Sequence, residues 1–157
     1  MNTAKEIVAI LTKRKLKIAV AESLTGGALC AAIVSVSGAS AVIDEAMVTY
    51  SNAAKIARLG VLQSTLNTHG AVSAECVAEM AVGMAKTAGA NIGIATTGIA
   101  GPNGATEEKP VGLVYIGICN NNKITTHKFD FEGCRSDVIT QTTTAALNIL
   151  RKELEVQ

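Results

Sequence analysis

The strongest constraint on the fold of this chain is a short apolar run that ends in a polar, glycine-containing turn and is followed by a second apolar run. Residues 16–21 have the length and composition of a buried strand, and residues 28–34 are typical of a packed helix. The turn between them spans residues 23–27. Because α/β proteins bind ligands where a strand ends and a helix begins, this junction predicts an α/β domain with a binding site at the turn.

The turn itself has two interpretations. A helix that begins near Thr25 directs unpaired backbone N–H groups and the positive end of its dipole towards a bound group, and Gly26 and Gly27 allow that group to approach closely. An anion, a phosphate or the oxyanion of an acyl-transfer intermediate fits such a site. The alternative is a Ser or Thr cap at the start of the helix, followed by glycines that only permit tight packing.

Helices and strands alternate along most of the chain. The pattern predicts helices over about residues 2–14, 28–35, 53–59, 65–69, 73–88 and 135–154, and strands over 16–22, 42–50, 90–96, 111–119 and 123–131. The last two strands flank three asparagines and form a hairpin, so they must be antiparallel. The sequence therefore predicts a single domain over residues 1–157, a three-layer α/β/α fold with a mixed sheet that includes a C-terminal antiparallel hairpin.

The composition excludes several function classes. A chain of 157 residues that is 48% hydrophobic can bury the core of one domain. Its net charge of +1 and its 3% of aromatic residues argue against a nucleic-acid surface, which needs a basic stripe or stacking aromatics. No apolar run reaches the ~18 residues of a membrane span, and the N-terminal region has no signal-peptide pattern. We expect a cytoplasmic protein that binds neither nucleic acid nor membranes.

The cysteines and histidines predict no metal chemistry. The four cysteines are far apart and form no C-x-x-C pair, so neither a zinc site nor a disulfide framework is indicated. His69 and His127 have no partners at metal-binding spacing, and a Ser-His-Asp triad is disfavoured. We expect a site with no metal and no cofactor.

A second strand end carries Tyr50, and Lys55 follows it in the first turns of a predicted helix. The positive end of a helix and burial both lower the pKa of a lysine, and a neutral lysine can act as a base, as in Ser/Lys hydrolases. The alternative is a solvated helix lysine beside a half-buried strand tyrosine.

A third strand end, residues 96–102, forms another glycine loop that contains Thr97 and Gly98. Such a loop suits backbone contacts with a phosphate or a carbonyl oxygen, although a plain structural turn is the alternative. Arg135 opens the last predicted helix, where its guanidinium can bind an anion with two hydrogen bonds or can simply face solvent. Since ligands gather at the carboxyl ends of strands in open α/β sheets, we expect the three strand ends to converge.

Taken together, six strings in this sequence resemble the CinA C-terminal domain family, whose active members are nicotinamide-mononucleotide amidohydrolases. They are Ala21–Ser23 with Thr25–Gly27, Val48–Asn52 with Ala54 and Lys55, His69–Ser73, Thr97–Pro102, Glu108–Gly112, and Phe131 with Gly133 and Arg135. The strings occur in order and extend over most of the chain, so together they are far more specific than any one of them.

The resemblance implies a reaction and its catalytic residues. It implies hydrolysis of the carboxamide of nicotinamide mononucleotide to nicotinate mononucleotide and ammonia, without a metal. Ser23 is the implied nucleophile, Lys55 the general base and Tyr50 a support for proton transfer. An amide is a poor electrophile, so this chemistry needs an activated hydroxyl and donors aimed at the developing negative charge. The Ser23 hydroxyl should therefore lie within reach of the Lys55 amine, directly or through one water.

The resemblance also implies the groups that bind the substrate. The implied substrate-binding residues are Thr25, Gly26, Gly27, Thr97, Gly98 and Arg135. The first three would bind either the substrate or the oxyanion. The implied partners are a small-molecule nucleotide substrate and further copies of the same chain in a homo-oligomer.

Several positions depart from the family's usual pattern. Leu24 stands where cysteine is common, residues 44–46 replace a more glycine-rich segment, Cys134 replaces the usual aspartate, and Ile139 occupies a frequent arginine position. Loss of that arginine would weaken phosphate binding or alter the substrate preference. The alternative function is therefore a non-catalytic pyridine-nucleotide-binding or regulatory module with the same pocket. Because the sequence shows no counterpart of the large N-terminal domain that some members carry, we expect the stand-alone form.

Overall fold

A computed structural model of the protein describes residues 3–156. Each helix and strand predicted from the sequence is present in this range, and only the predicted start of the first helix at residue 2 lies outside the described residues. The helices are α1 (Thr3–Arg14), α2 (Ala28–Val34), α3 (Asn52–Leu59), α4 (Gln63–His69), α5 (Ala74–Ala88) and α6 (Arg135–Glu155). The strands are β1 (Ile18–Glu22), β2 (Ile43–Val48), β3 (Ile92–Gly98), β4 (Leu113–Asn120) and β5 (Lys123–Asp130).

The strands form one open sheet in the order β2-β1-β3-β4-β5. Strand β1 pairs in parallel with β2 and β3, whereas β4 runs antiparallel to both β3 and β5. Asn121 and Asn122 close the β4–β5 hairpin at φ values of 47° and 68°, the conformation that two-residue hairpin loops require. The prediction of a mixed sheet with an antiparallel hairpin is confirmed.

Helices cover both faces of this sheet. On one face, α1, α2 and α6 pack over large apolar side chains such as Val20, Ile94 and Ile116. On the other face, α3, α4 and α5 pack over small ones, including Ala19 and Ala21. Because successive side chains of a strand point to opposite faces, β1 contributes to both cores. The predicted three-layer α/β/α arrangement is confirmed.

Helix α5 lies unusually close to the sheet because glycines face it. A Cβ atom at Gly93 would lie 2.1 Å from the carbonyl oxygen of Ala81, and one at Gly117 would lie 2.7 Å from that of Val77. Real Cβ atoms do not come this close, so these strand positions accept only glycine. The close fit fixes the start of α5, where Cys76 lies near the Lys55 amine.

Helix α3 begins and ends at the residues that its sequence predicts. The Ser51 hydroxyl accepts a hydrogen bond from the backbone N–H of Ala54 at 3.0 Å, and Gly60 ends the helix at a φ of 69°. A serine cap and a terminal glycine are the usual signals for helix ends. With its start fixed in this way, the helix turns Lys55 into the protein, where 1% of its surface is exposed.

The carboxyl ends of the three parallel strands meet at one edge of the sheet. Strand β1 is followed by Ser23, β2 by Thr49 and Tyr50, and β3 by the loop that begins at Ile99. The predicted convergence of the three strand ends is therefore observed. No helix within residues 3–156 is both long enough and apolar enough to cross a membrane.

Candidate active site

The Ser23 hydroxyl and the Lys55 amine are in direct contact. The Lys55 Nζ donates a hydrogen bond to the Ser23 Oγ at 3.1 Å. Ser23 is 8% exposed and Lys55 is 1% exposed, so the contact is buried. The alternative of a solvated lysine at position 55 is thus wrong, and the serine and lysine that the sequence singled out lie within hydrogen-bond reach.

In the described part of the chain, every hydrogen-bond partner of the Lys55 amine is a neutral oxygen. Besides Ser23, it donates to the backbone carbonyl of Thr49 at 2.9 Å and to that of Tyr50 at 3.2 Å. Within residues 3–156, no carboxylate forms an ion pair with it. Burial lowers the pKa of Lys55, and the nearby Cys76 acts in the opposite direction. A buried ammonium without a counter-charge loses its proton readily, and the neutral amine can then accept one.

Arg135 bridges two walls of the site. Its Nη2 donates to the Tyr50 hydroxyl at 3.0 Å, and its Nη1 donates to the Gly101 carbonyl at 2.9 Å. Tyr50 is 58% exposed, and its hydroxyl makes no hydrogen bond to Ser23 or Lys55 in the described chain. The Tyr50 side chain is therefore joined to Arg135, while its backbone carbonyl is joined to the lysine.

A pocket of about 240 Å³ opens beside the serine and the lysine. Of the residues predicted for the site, six line it: Ser23, Tyr50, Lys55, Thr97, Gly98 and Arg135. Side chains that the sequence reasoning did not single out, Asn52 and Asn103 among them, complete the lining. Thr25, Gly26 and Gly27 do not line it.

Thr97 and Gly98 shape the wall of the pocket on the β3 side. The Thr97 hydroxyl donates to the backbone carbonyl of Ala71 at 2.8 Å, which fixes the segment between α4 and α5 against the strand. A Cβ atom at Gly98 would lie 2.8 Å from the carbonyl oxygen of Leu113, so a side chain has no room there. The chain needs glycine at this point because β4 passes so closely.

The turn after Ser23 differs from the expectation of unpaired N–H groups at the start of α2. The Glu22 carboxylate, 1% exposed, accepts hydrogen bonds from the backbone N–H groups of Gly27 at 3.1 Å, Leu29 at 3.0 Å and Cys30 at 2.8 Å. A carboxylate at the positive end of a helix is favourable. The chain's own side chain thus occupies the position that the sequence analysis reserved for a bound anion.

The remaining turn residues contribute to packing in this structure. The Thr25 hydroxyl forms a buried hydrogen bond with the Thr96 hydroxyl at 2.8 Å. Gly26 and Gly27 have φ values of 58° and 106°, which favour glycine. The alternative of a Ser or Thr cap is also incorrect, since Gly27 occupies the cap position and Glu22 supplies the acceptor.

Glu22 is not among the site residues predicted from the sequence, although its surroundings carry a signal. Glu22 is the one charged residue in the segment 18–34, which is otherwise apolar or neutral. An ionised side chain in such a segment needs hydrogen-bond partners, and the start of the following helix supplies them.

A second, wider cavity of about 720 Å³ adjoins the first and shares Ala100, Gly101 and Arg135 with it. Its lining also includes Cys134 and Ile139, two of the positions that depart from the usual pattern of the family that the sequence resembles. Arg135 therefore lines both cavities.

No group of three or more histidine, cysteine, aspartate or glutamate side chains suited to a metal ion occurs in the described part of the chain. The four cysteines are free thiols, and Cys134 is the exposed one.

The Cys76 thiol, which lies near the Lys55 amine, is buried. Burial raises the pKa of this thiol to about 11.

The chain is similar in sequence to known bacterial proteins. The chain is 52% identical over 146 residues to a competence-damage inducible protein of Clostridium acetobutylicum, and 50% identical over 154 residues to one of Caldicellulosiruptor saccharolyticus. These alignments cover 93% and 98% of this chain, but only 36% and 38% of the relatives. The chain thus spans a little over a third of the length of these curated relatives.

Solved structures match the whole fold. A CinA superfamily protein from Klebsiella pneumoniae has a TM-score of 0.95 at 35% identity, with 99% of this chain and 97% of that one covered. A competence/damage inducible protein from Agrobacterium tumefaciens has a TM-score of 0.94 at 39% identity, with 98% and 93% covered. The CinA C-terminal domain matches residues 1–154, and the chain therefore belongs to the CinA C-terminal domain family.

Proposed function

We propose that this chain hydrolyses the carboxamide of nicotinamide mononucleotide to nicotinate mononucleotide and ammonia. The observation that carries the proposal is the buried 3.1 Å hydrogen bond between the Lys55 Nζ and the Ser23 Oγ, beside a pocket that both residues line. Family membership supports the choice of an amide substrate, because the family includes amidohydrolases. A lysine with a lowered pKa supports the choice of a base.

The reaction would proceed in two stages. The neutral Lys55 amine takes the hydroxyl proton as the Ser23 Oγ attacks the carboxamide carbon, and a tetrahedral oxyanion forms. The lysine ammonium then gives its proton to the amide nitrogen and the C–N bond breaks. Ammonia departs, and the acyl group remains bound to Ser23 as an ester. In the second stage, the same amine takes a proton from water as the water oxygen attacks the ester carbonyl. The ammonium then returns that proton to the Ser23 Oγ while the bond between the acyl carbon and Oγ breaks, and the nicotinic acid product ionises to its carboxylate on release.

The developing oxyanion needs hydrogen-bond donors. The backbone N–H of Leu24 directly follows the nucleophile, and Leu24 lines the pocket. This N–H donates no hydrogen bond to residues 3–156. We assign it to the oxyanion, because it lies unpaired beside the nucleophile in the described chain and a fixed donor at low dielectric needs no reorganisation during the reaction.

The two adjoining cavities together offer enough volume for a nucleotide, whereas the cavity beside Ser23 alone does not. The cavity beside Ser23, at about 240 Å³, is below the ~300 Å³ at which small-molecule pockets usually begin. The adjoining cavity of about 720 Å³ offers room for a ribose phosphate. In the proposed complex, the carboxamide meets Ser23, and the remainder of the substrate passes Arg135, whose guanidinium is the charge available for the phosphate.

The test measures ammonia and nicotinate mononucleotide released from nicotinamide mononucleotide by the purified protein. We expect stoichiometric products from the wild type and none from Ser23→Ala, with nicotinamide and its riboside as comparison substrates. Wild-type protein that gives no products, or Ser23→Ala that retains full turnover, contradicts the proposal. A thermal shift with chemically unchanged nucleotide would instead favour a non-catalytic pyridine-nucleotide-binding module.

A further inference from the structure

One residue ties together both ends of the turn that carries Ser23. The Glu22 side chain binds the first N–H groups of α2, while the Glu22 backbone carbonyl accepts a hydrogen bond from the Thr49 N–H at 2.9 Å. Between these two points, the Ser23 carbonyl accepts from the Gly26 N–H at 3.1 Å. Glu22 therefore holds both ends of the turn, while the Gly26–Ser23 bond and the Thr25–Thr96 bond hold its middle.

The same residue also connects to the base. Thr49, which donates to the Glu22 carbonyl, accepts a hydrogen bond from the Lys55 Nζ through its own carbonyl at 2.9 Å. The backbone of Glu22 thus joins the strand end that holds the amine, and its side chain holds the turn that presents the hydroxyl. Loss of the carboxylate would remove the side-chain hydrogen bonds that tie Glu22 to the start of α2 but leave the Thr49–Lys55 contact intact.

We propose that Glu22 is a positioning residue that holds the Ser23 hydroxyl against the Lys55 amine by binding the start of α2. This inference rests on the proposed function, in which Ser23 is the nucleophile. Glu22 does not line the pocket, so it acts through Ser23 and not on the substrate. Its carboxylate accepts three backbone N–H bonds and forms no ion pair with the Lys55 amine within residues 3–156.

The substitution that tests this role is Glu22→Gln, which keeps the size of the side chain. One carboxylate oxygen becomes an NH₂ group, which cannot accept hydrogen bonds from the backbone N–H groups of α2. A displacement of a reacting group by ~1 Å costs on the order of 100-fold in rate. We expect a loss of that size in kcat, with KM little changed, because the groups that line the pocket stay in place. The pH at which activity rises should also stay unchanged, since Lys55 keeps its contacts with Thr49 and Tyr50.

The chain offers a matched control in Glu79→Gln. The Glu79 carboxylate also accepts at the start of a helix, from the Leu62 N–H at 2.8 Å and the Thr65 hydroxyl at 2.5 Å, but it lies outside the catalytic pocket. We expect Glu79→Gln to lower stability while retaining wild-type kcat. If both variants lose thermal stability and neither loses kcat, the positioning role of Glu22 is overturned.

A second measurement separates this inference from the proposed substrate. A fluorophosphonate probe labels an activated serine whether or not nicotinamide mononucleotide is a substrate, and intact-mass spectrometry measures the rate at Ser23 against a Ser23→Ala background. We expect slow labelling in Glu22→Gln and wild-type labelling in Glu79→Gln. If the wild type labels but releases no ammonia, the proposed function fails and the labelling rates decide the role of Glu22. Equal rates in wild type and Glu22→Gln, or no wild-type labelling above background, overturn the inference.

If Glu22→Gln does not fold, the variant Glu22→Asp tests the positioning role of Glu22 instead. The aspartate keeps the negative charge at the helix start but is one methylene shorter, so it cannot reach all three N–H groups in the same geometry. We expect a folded protein with labelling at Ser23 slower than in the wild type. Wild-type labelling and wild-type kcat in Glu22→Asp contradict the proposal.

Discussion

The Lys55 amine lies 3.1 Å from the Ser23 hydroxyl and faces no carboxylate within residues 3–156. This relationship gives a direct prediction about pH. Burial lowers the pKa of Lys55 from the usual 10.5, and only the neutral amine can accept the serine proton. We therefore expect kcat/KM to rise with pH through a pKa below 10.5 and to fall as the amine becomes protonated.

The control for that profile is Lys55→Arg. A guanidinium keeps the positive charge but does not lose its proton in proteins, so this variant should be inactive at every pH at which the wild type works. Activity of Lys55→Arg with an unchanged profile would contradict the assignment of Lys55 as the base. The measurement is the initial rate of ammonia release over a series of buffers at constant ionic strength.

The same lysine should make the stability of the protein depend on pH. Because the pKa of Lys55 is lower in the folded protein than the 10.5 of an exposed lysine, the unfolded chain binds more protons between the two values. The free energy of unfolding should then rise as the pH increases from the folded pKa towards 10.5, and this contribution is absent at lower pH.

Lys55→Met tests this dependence, since methionine fills the space of the lysine stem without an amine. We expect the slope of unfolding free energy against pH in that window to flatten, as measured by urea denaturation at several pH values. Surface lysines contribute equally to both proteins, so the difference between the two slopes reports Lys55 together with its effect on the neighbouring Cys76 thiol. An unchanged slope would mean that the pKa of Lys55 is not shifted on folding.

How far the sequence predicts this molecule depends on the range of the interactions involved. The helices, strands and caps follow from local patterns, as the Ser51 cap and the Gly60 end of α3 illustrate. The contact between Ser23 and Lys55 joins residues 32 positions apart and depends on the parallel pairing of β1 and β2. The polar strand ends predicted a shared edge, but the pairing of these two residues came from the family resemblance.

Two features of the site were beyond local patterns. The hydrogen bond between Tyr50 and Arg135 spans 85 positions, and no periodicity in the sequence links a strand end to the first residue of the last helix. The role of Glu22 was hidden for a different reason. A glutamate at a strand end usually faces solvent, and only the path of the turn brings its carboxylate to the start of α2.

The bond between Tyr50 and Arg135 predicts non-additive substitutions. Arg135→Met removes the donor and Tyr50→Phe removes the acceptor of one hydrogen bond. If the tyrosine acts through the arginine, the double variant should lose little more kcat/KM than Arg135→Met alone, with a coupling free energy of about 0.5–3 kcal/mol. A complete double-mutant cycle on nicotinamide mononucleotide measures this coupling. Additive losses would instead place the Tyr50 hydroxyl in proton transfer, independently of Arg135.

The final prediction concerns Ile139, which lines the adjoining cavity together with Arg135. Ile139→Arg would add a second guanidinium where the proposed substrate carries its phosphate, and a charge-assisted hydrogen bond contributes about 1.5–3 kcal/mol. We therefore expect a KM for nicotinamide mononucleotide lower by about tenfold, with no gain for the riboside, which lacks the phosphate. Ile139→Met is the matched control, because it changes the shape of the wall without adding charge. An equal change in KM for nucleotide and riboside would show that the phosphate does not lie in this cavity.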